Sequence, residues 1–290
     1  MSADFSMRMT PQHLDGVFWA LTGVTDAWGL VNSGPCVFEL FLQRGHSEHD
    51  WDQDILGRHD RRRLYSTCTM SGANKPAAVT RLIDRLAAAI KEQAAPPLIL
   101  LTEMTPSKLQ EDDLQALAAA IEERLAVPAR CLKFHGYERD GLDAFAVCLE
   151  ALAEFIPVSG PADEDSVAIV GQLLDRKQAD QLANVDELRR LVESLGVPVS
   201  SCWLSGTELA ALVPAARSRW IVAFPNGWSA ADKLAARTGA EVIRCGLPVG
   251  PAATAAWLRS IGAAVGKADA AELAVDRELR DVVPRLAHAV

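Results

Sequence analysis

Cys36 stands in the run Leu30-Val-Asn-Ser-Gly-Pro-Cys36-Val-Phe-Glu-Leu-Phe41. An apolar segment ends there in a Ser-Gly-Pro turn, and a helix-like run follows. A thiolate at such a strand-to-helix switch meets exposed backbone N–H groups and the positive end of a helix, and both favour anionic sulfur. Cys68, in Tyr65-Ser-Thr-Cys68-Thr-Met70, lies in the next segment and is expected to approach the same end of a sheet. For each, a thiol packed as a small hydrophobe with no metal is the alternative.

Two further residues follow apolar runs, at the carboxyl ends of expected strands, where open α/β sheets place their ligands. Glu103 comes after Leu98-Ile-Leu-Leu-Thr102 and suits an acid/base or an oxygen ligand; a structural carboxylate near the start of the next helix is the other reading. His135 follows Ala129–Phe134 with Gly136, Tyr137 and Arg139 beside it, and suits a pocket wall or a local hydrogen bond. Cys245 ends the last expected strand and is a candidate to face a cleft between domains. His46, His49 and His59 accompany Asp50, Asp52, Asp54 and Asp60 in a charged stretch. Such donors bind divalent metals, but the neighbouring Arg58–Arg63 run repels a cation and favours a solvated loop, or a grip on an anionic carboxylate or a partner's acidic face. Asp112 and Asp113 read as solvated, and Trp203, Trp220, Trp228 and Trp257 as core or interface aromatics.

The elements that position these residues alternate. The spacing predicts a helix over 14–22, a strand over 28–32, a helix over 37–44 and a polar surface loop over 45–63. Pro76 opens a helix that runs on over 77–92, then come a strand over 98–102, a helix over 107–125, a strand over 129–134 and a helix over 142–155. Pro157-Val-Ser-Gly-Pro161 and the acidic residues after it read as a linker. The second block repeats the alternation: strands over 166–171, 197–203, 220–224 and 241–244, with helices over 185–195, 206–213, 230–238, 252–265 and 269–283. The expected architecture is α/β, two tandem Rossmann-like domains over residues 10–160 and 161–290, each a parallel sheet flanked by helices.

A chain of 290 residues is long enough for two ordinary cores. Its net charge of -9 and pI near 5.2 argue against nucleic acid and anionic membrane as partners. No window reaches the ~18 apolar residues of a membrane helix, and Met1-Ser-Ala-Asp-Phe5 begins no signal peptide, so the expected location is the cytoplasm. The six cysteines stand singly, without a C-x-x-C pair, which suits a reducing compartment. Neither G-x-G-x-x-G nor G-x-x-x-x-G-K-[ST] is present, so the sheets share the layout of nucleotide-binding ones and not their phosphate loops. G-x-S-x-G and H-E-x-x-H are absent as well.

The whole-chain pattern carries a resemblance. Gly16-Val-Phe-Trp-Ala-Leu-Thr-Gly-Val24 followed by Leu30-Val-Asn-Ser-Gly-Pro-Cys36 resembles the N-terminal signature of the nitrogenase component 1 superfamily. That superfamily includes the molybdenum-iron protein, its cofactor-assembly scaffold and dark-operative protochlorophyllide reductases. Leu101-Thr-Glu-Met-Thr-Pro-Ser-Lys-Leu-Gln-Glu-Asp-Asp113 resembles its Ser-x-Cys-Pro-x-x-x-x-x-Asp-Asp segment. Ser166–Gly171, Asp186–Gly196 and Leu247–Leu258 resemble its second domain, in the family's order.

The resemblance implies a subunit of an ATP-dependent reductive or metallocofactor-assembly system, with a separate iron–sulfur ATPase as electron donor. It also implies an iron–sulfur cluster at a subunit interface, with Cys36 and Cys68 as metal-ligand candidates and Glu103 and His135 as catalytic candidates. Family members with a complete cluster subunit carry three cysteines. Here the first position falls near Pro11–His13 and the third near Thr105, both without a thiol, and the chain is expected to be a shortened form lacking the third domain. Cys36 then serves as the single ligand facing a three-ligand partner in a heterodimer, or a homodimer contributes Cys36 and a second group such as Cys68 from each copy. A non-catalytic scaffold that binds a metallocofactor, a tetrapyrrole or a partner chain is the alternative function.

Overall fold

The computed structural model describes residues 13–37, 63–68, 76–104, 113–134, 140–159, 163–173, 181–282 and 284. The described elements run α1 (His13–Gly23), β1 (Trp28–Asn32), β2 (Leu64–Ser66), α2 (Pro76–Glu92), β3 (Ile99–Glu103), α3 (Leu114–Leu125), β4 (Ala129–Cys131), α4 (Gly141–Phe155), β5 (Asp163–Val170), α5 (Gln181–Glu193), β6 (Val199–Cys202), β7 (Ser218–Ala223), α6 (Trp228–Thr238), β8 (Glu241–Arg244), α7 (Pro251–Ala264) and α8 (Ala268–Arg277). They form two parallel four-stranded sheets, β2-β1-β3-β4 and β6-β5-β7-β8, flanked by helices. By contacts the described residues divide into two compact units, one within Met1–Ala151 and Gly206–Leu209, the other within Leu152–Leu173, Asp180–Ser205 and Ala210–Val290.

In the first unit the pleat sorts side chains between two helical layers. Trp28, Leu30, Tyr65, Ile99, Leu101 and Ala129 face Leu82, Ile83 and Leu86 of α2 and Leu117 and Ile121 of α3 in one core. The buried α2 residues Ala78, Leu82, Ile83 and Leu86 follow the spacing of one helical face, which is why this segment folds as it does. The α3 helix starts where Asp113 accepts the Ala116 N–H at 2.9 Å, so Asp113 is exposed but caps the helix instead of lying along it. On the opposite face Leu21 of α1 lies over Gly29, and a Cβ at Gly16 would overlap the Gly141 carbonyl of α4, so glycine lets these two helices touch through their backbones.

The second sheet packs α5, α7 and α8 over Val167, Ile169, Val222, Phe224 and Ile243, with Phe224 and Trp257 stacked at 6.1 Å. Its central strand begins at Asp163, inside the stretch expected to be linker, because Asp163 pairs with Ser218 before the register shifts. The helix expected over 206–213 is a 3-10 helix over Leu209–Arg217, since Pro214 has no N–H to donate to a carbonyl four residues back. The last helix gives way to a π-helical turn over Glu278–Val282.

Two sequence expectations differ in the first unit. β2 was not anticipated: three residues carry no periodicity, and only pairing of Gly29 to Leu64 and Val31 to Ser66 defines it. Arg63, expected in a solvated basic stretch, is 9% exposed. Its NH1 donates to the carbonyls of Leu21, Val24 and Ala27 at 2.9, 3.0 and 3.2 Å, tying the end of α1 to the start of β1. The rest of the 45–63 loop, with its histidines and aspartates, lies outside the described residues, as do 105–112 and 135–139.

Candidate functional site

The strand order of the first sheet reverses direction between β1 and β3, and open parallel sheets bind ligands outside the carboxyl ends of strands at that point. Asn32 and Glu103 are register partners at the ends of these two strands. Beyond Asn32 the chain turns through Ser33, Gly34 and Pro35 to Cys36, where helical structure begins. Beyond Ser66 the neighbouring strand β2 leads through Thr67 to Cys68. The amino end of α1 reaches the same edge, because His13 Nε2 lies 3.1 Å from the Glu103 carbonyl oxygen and its ring meets Phe134 edge-on at 5.6 Å.

A buried hydroxyl network locks the β1 and β2 turns together. Ser66 Oγ donates to the Ser33 carbonyl at 2.7 Å, lies 3.4 Å from the Gly34 carbonyl and accepts the Cys68 N–H at 3.0 Å. Thr67 Oγ1 bonds Asn32 Oδ1 at 2.9 Å and accepts the Ser33 N–H at 3.2 Å. The Met104 N–H donates to the Asn32 carbonyl at 3.1 Å, which adds the β3 turn. Asn32, Ser33, Ser66 and Thr67 are all buried. Cys68 has a φ of 56°, a left-handed conformation rare for a side-chain-bearing residue.

Cys36 and Cys68 emerge from this network exposed. Arg85 of α2 places NH1 3.4 Å from Cys68 Sγ, so a guanidinium faces the thiol. The other four thiols are held differently. Cys131 bonds the Leu114 carbonyl at 3.1 Å, and burial, reinforced by the charge of Asp113, pushes it up to about 11. Burial pushes Cys202 up to about 12 and raises Cys148 further. Cys245 faces the core of the second unit, 7% exposed and 3.5 Å from the Ile243 carbonyl, with burial pushing it up to about 11. It is a core thiol and not a lining residue.

Glu103 is half-buried at the β1–β3 reversal, with its Oε2 buried. Beside it Thr102 Oγ1 is buried without a hydrogen-bond partner, on the opposite face of the strand. His135 lies outside the described residues; β4 ends at Cys131, and the chain is irregular to Phe134. Trp203, Trp220 and Trp257 are core residues, while Trp228 is exposed with its Nε1 donating to the Ala223 carbonyl at 3.1 Å. Nothing in the sequence marks Arg85, Ser33, Ser66 and Thr67: polar residues near turns are common, and the β1–β2 pairing brings the three hydroxyls together while α2 carries Arg85 to Cys68.

Iron–sulfur clusters are held by four thiolates or a close variant of that set. Among the described residues no group of three or more His, Cys, Asp or Glu side chains is placed to hold a metal ion. All six cysteines of the chain are described, and two of them are exposed. The two exposed thiols at this edge fit part of a cluster ligand set and are fewer than a complete set requires.

No curated protein matches the chain in sequence. Two solved structures of nitrogenase Cp1, at pH 5 and at pH 6.5, share the fold at TM-scores of 0.72 and 0.74, each at 15% sequence identity. They match 93% and 97% of this chain, which spans 55% and 54% of theirs. The family model for nitrogenase component 1 type oxidoreductases matches residues 43–289, a span that includes Cys68 and begins after Cys36. By that match, over an α/β fold of two parallel sheets, the chain belongs to the nitrogenase component 1 type oxidoreductase family.

Proposed function

We propose that this chain is a subunit of an ATP-dependent reductive or metallocofactor-assembly system in the cytoplasm, receiving electrons from a separate iron–sulfur ATPase. Its sequence holds no phosphate loop, so hydrolysis belongs to the other component. Family membership supports this reading, and the observation that carries it is the exposed Cys36 at the ligand-binding edge of the first sheet. An iron–sulfur cluster bound there would store and pass single electrons. The chain's own residues offer the thiol of Cys36, the nearby thiol of Cys68 and a guanidinium that offsets negative charge. Glu103 at the same edge, and His135 directly after Phe134 in the sequence, are suited to hold or move a proton near the bound substrate.

The test is anaerobic purification of the chain with its co-encoded partners, with iron and sulfide measured in the wild type and in Cys36→Ala. Iron and sulfide that disappear with Cys36→Ala support the redox reading. Protein that lacks both, and behaves identically when Cys36 is replaced, supports the second reading, a non-catalytic scaffold. That alternative is favoured by one observation: a single chain presents too few exposed thiols for a complete cluster site.

A further inference from the structure

The carboxyl edge of the second sheet presents a surface where a pocket would be expected. Its strand order reverses between β5 and β7, the place where open parallel sheets hold a ligand. There Gly171 and Gly227 meet main chain to main chain, and a Cβ on Gly171 would lie 2.6 Å from the Gly227 nitrogen. The crevice is filled, so what this edge offers is its outer face.

That face is apolar and fixed in shape. Trp228, Leu247 and Val249 are 40%, 51% and 78% exposed. The Ala223 carbonyl accepts both the Trp228 Nε1–H at 3.1 Å and the Cys245 N–H at 3.0 Å, which sets the indole beside the loop that follows Cys245. In that loop the Val249 N–H donates to the Leu247 carbonyl at 2.9 Å, closing a three-residue turn around Pro248. Thr254 Oγ1 donates to the Pro248 carbonyl at 3.0 Å, and the rings of Pro248 and Pro251 restrict the backbone on either side of Gly250. One exposed hydrophobic residue is ordinary, but three on one rigid edge form a patch. Groups held in advance lose little freedom when a partner covers them, which suits this patch to docking.

Charge indicates the occupant. Residues 220–231 and 245–258 hold no charged side chain, in a chain that is 23% charged with a net charge of -9. Two acidic copies repel one another through most faces, and least through an uncharged one. The rim of the patch carries both signs: Arg244, at the end of β8, bonds Asp232 at 2.5 Å, and Asp232 lies one turn after Trp228 on α6. A two-fold contact requires such self-complementarity, with apolar groups meeting their own copies and each sign meeting the other. We infer that two copies of this chain dock through the carboxyl edge of the second sheet. Trp228, Leu247 and Val249 of each copy cover those of the other, and Arg244 exchanges its ion pair to Asp232 of the partner subunit across the axis. The contact uses no thiol, no metal and no residue of the first unit, so it stands or falls apart from the proposed function.

The experiment is sedimentation velocity of the full-length chain over about 1–300 μM, with reductant and chelator present so that neither disulfides nor metals join the copies. The expected result is a reversible monomer–dimer equilibrium. Leu247→Asp and Val249→Asp each weaken it by about tenfold or more, since a charge then enters the apolar contact, while circular dichroism stays unchanged at these exposed positions. Arg244→Asp alone and Asp232→Arg alone weaken it too, by setting like charges across the axis. An equimolar mixture of those two variants restores the dimer as a mixed species, read by a mass tag on one of them, because every contact again joins opposite signs. A chain that stays monomeric over the whole range overturns the inference. So does a dimer that Leu247→Asp and Val249→Asp leave intact, or a mixture of the charge variants that associates no better than either alone.

Discussion

Arg63 anchors the first unit at the amino end of β1, the end of the strand opposite the site edge, and touches no ligand candidate. Its NH1 serves the carbonyls of Leu21, Val24 and Ala27, the last turn of α1 and the approach to β1. Replacing Arg63 by Met keeps much of the buried aliphatic stem and removes the donor. One nitrogen carries two protons for three acceptors, and hydrogen bonds to charged groups contribute about 1.5–3 kcal/mol each. The loss is then about 3–5 kcal/mol, the range found when one partner of a buried charged interaction is removed. At about 1.4 kcal/mol per factor of ten, local opening becomes roughly a hundred to several thousand times more frequent. Hydrogen exchange read by mass spectrometry over 13–32 reports this directly, because protection there measures that opening. Peptides covering α1 and β1 should exchange faster by that factor in Arg63→Met. Arg63→Lys, which keeps the charge but not the planar fork, should fall between the two. Acceleration of less than about tenfold in Arg63→Met would show that these carbonyls are satisfied without the guanidinium, and the reasoning would fail.

Thiol reactivity separates the two exposed cysteines from the rest. In native protein at pH 7, iodoacetamide should modify Cys36 and Cys68 first, while Cys131, Cys148, Cys202 and Cys245 react only on unfolding, because burial raises their thiols above the ordinary range. Peptide mapping reads the order, and early labelling of Cys245 would contradict its place in the core. The carboxylate of Glu122 in α3 is held below the usual range, first by the Ala129 N–H at 2.9 Å and then by Arg130. Its contribution to stability is present above the unfolded carboxylate pKa and fades as pH falls through the lower folded value. Glu122→Gln should therefore lower the urea midpoint at pH 7, by a small amount because the pair is solvent-screened, and the difference from wild type should shrink below about pH 4.5. A difference that grows on acidification would refute that assignment.

Much of the fold was legible because it rests on repeating patterns. The stripe of α2, the apolar run of β3 and the Ser-Gly-Pro turn after β1 each state their structure locally. The placement of Glu103 and Cys36 at the carboxyl edge of the sheet follows from that grammar, since both come at or just past the end of a parallel strand. What was not legible depends on partners distant in sequence. β2 exists as a strand because β1 lies beside it, and without β2 the relation of Cys68 to Cys36 has no frame. Arg63 differs from its neighbours in burial, which charge alone cannot reveal. Cys245 occupies a strand end just as Cys36 does, but the stacked Phe224 and Trp257 belong to the core that encloses it.

The two sheets share one strand order, yet their ligand-binding edges are built differently. In the second unit the crevice outside β5 and β7 is filled by main chain: Gly171, at a φ of 96°, approaches Gly227 so closely that a Cβ there would lie 2.6 Å from the Gly227 nitrogen. Trp228 then bonds the Ala223 carbonyl across the same edge. In the first unit the corresponding edge is held by side chains, with Ser33, Ser66, Thr67 and Asn32 bonded to one another and to the turns. A buried polar network contributes little net stability even when satisfied, but it fixes its members in one arrangement. Holding a core together does not require this, since the apolar residues of β1 and β3 already do so. Fixing two turns that each carry an exposed thiol does require it, and the proposed metal centre would tolerate little error in ligand position. On the proposed function the hydroxyls serve the placement of Cys36 and Cys68 more than the stability of the sheet. Ser66→Ala should accordingly cost more in iron retention than in melting temperature.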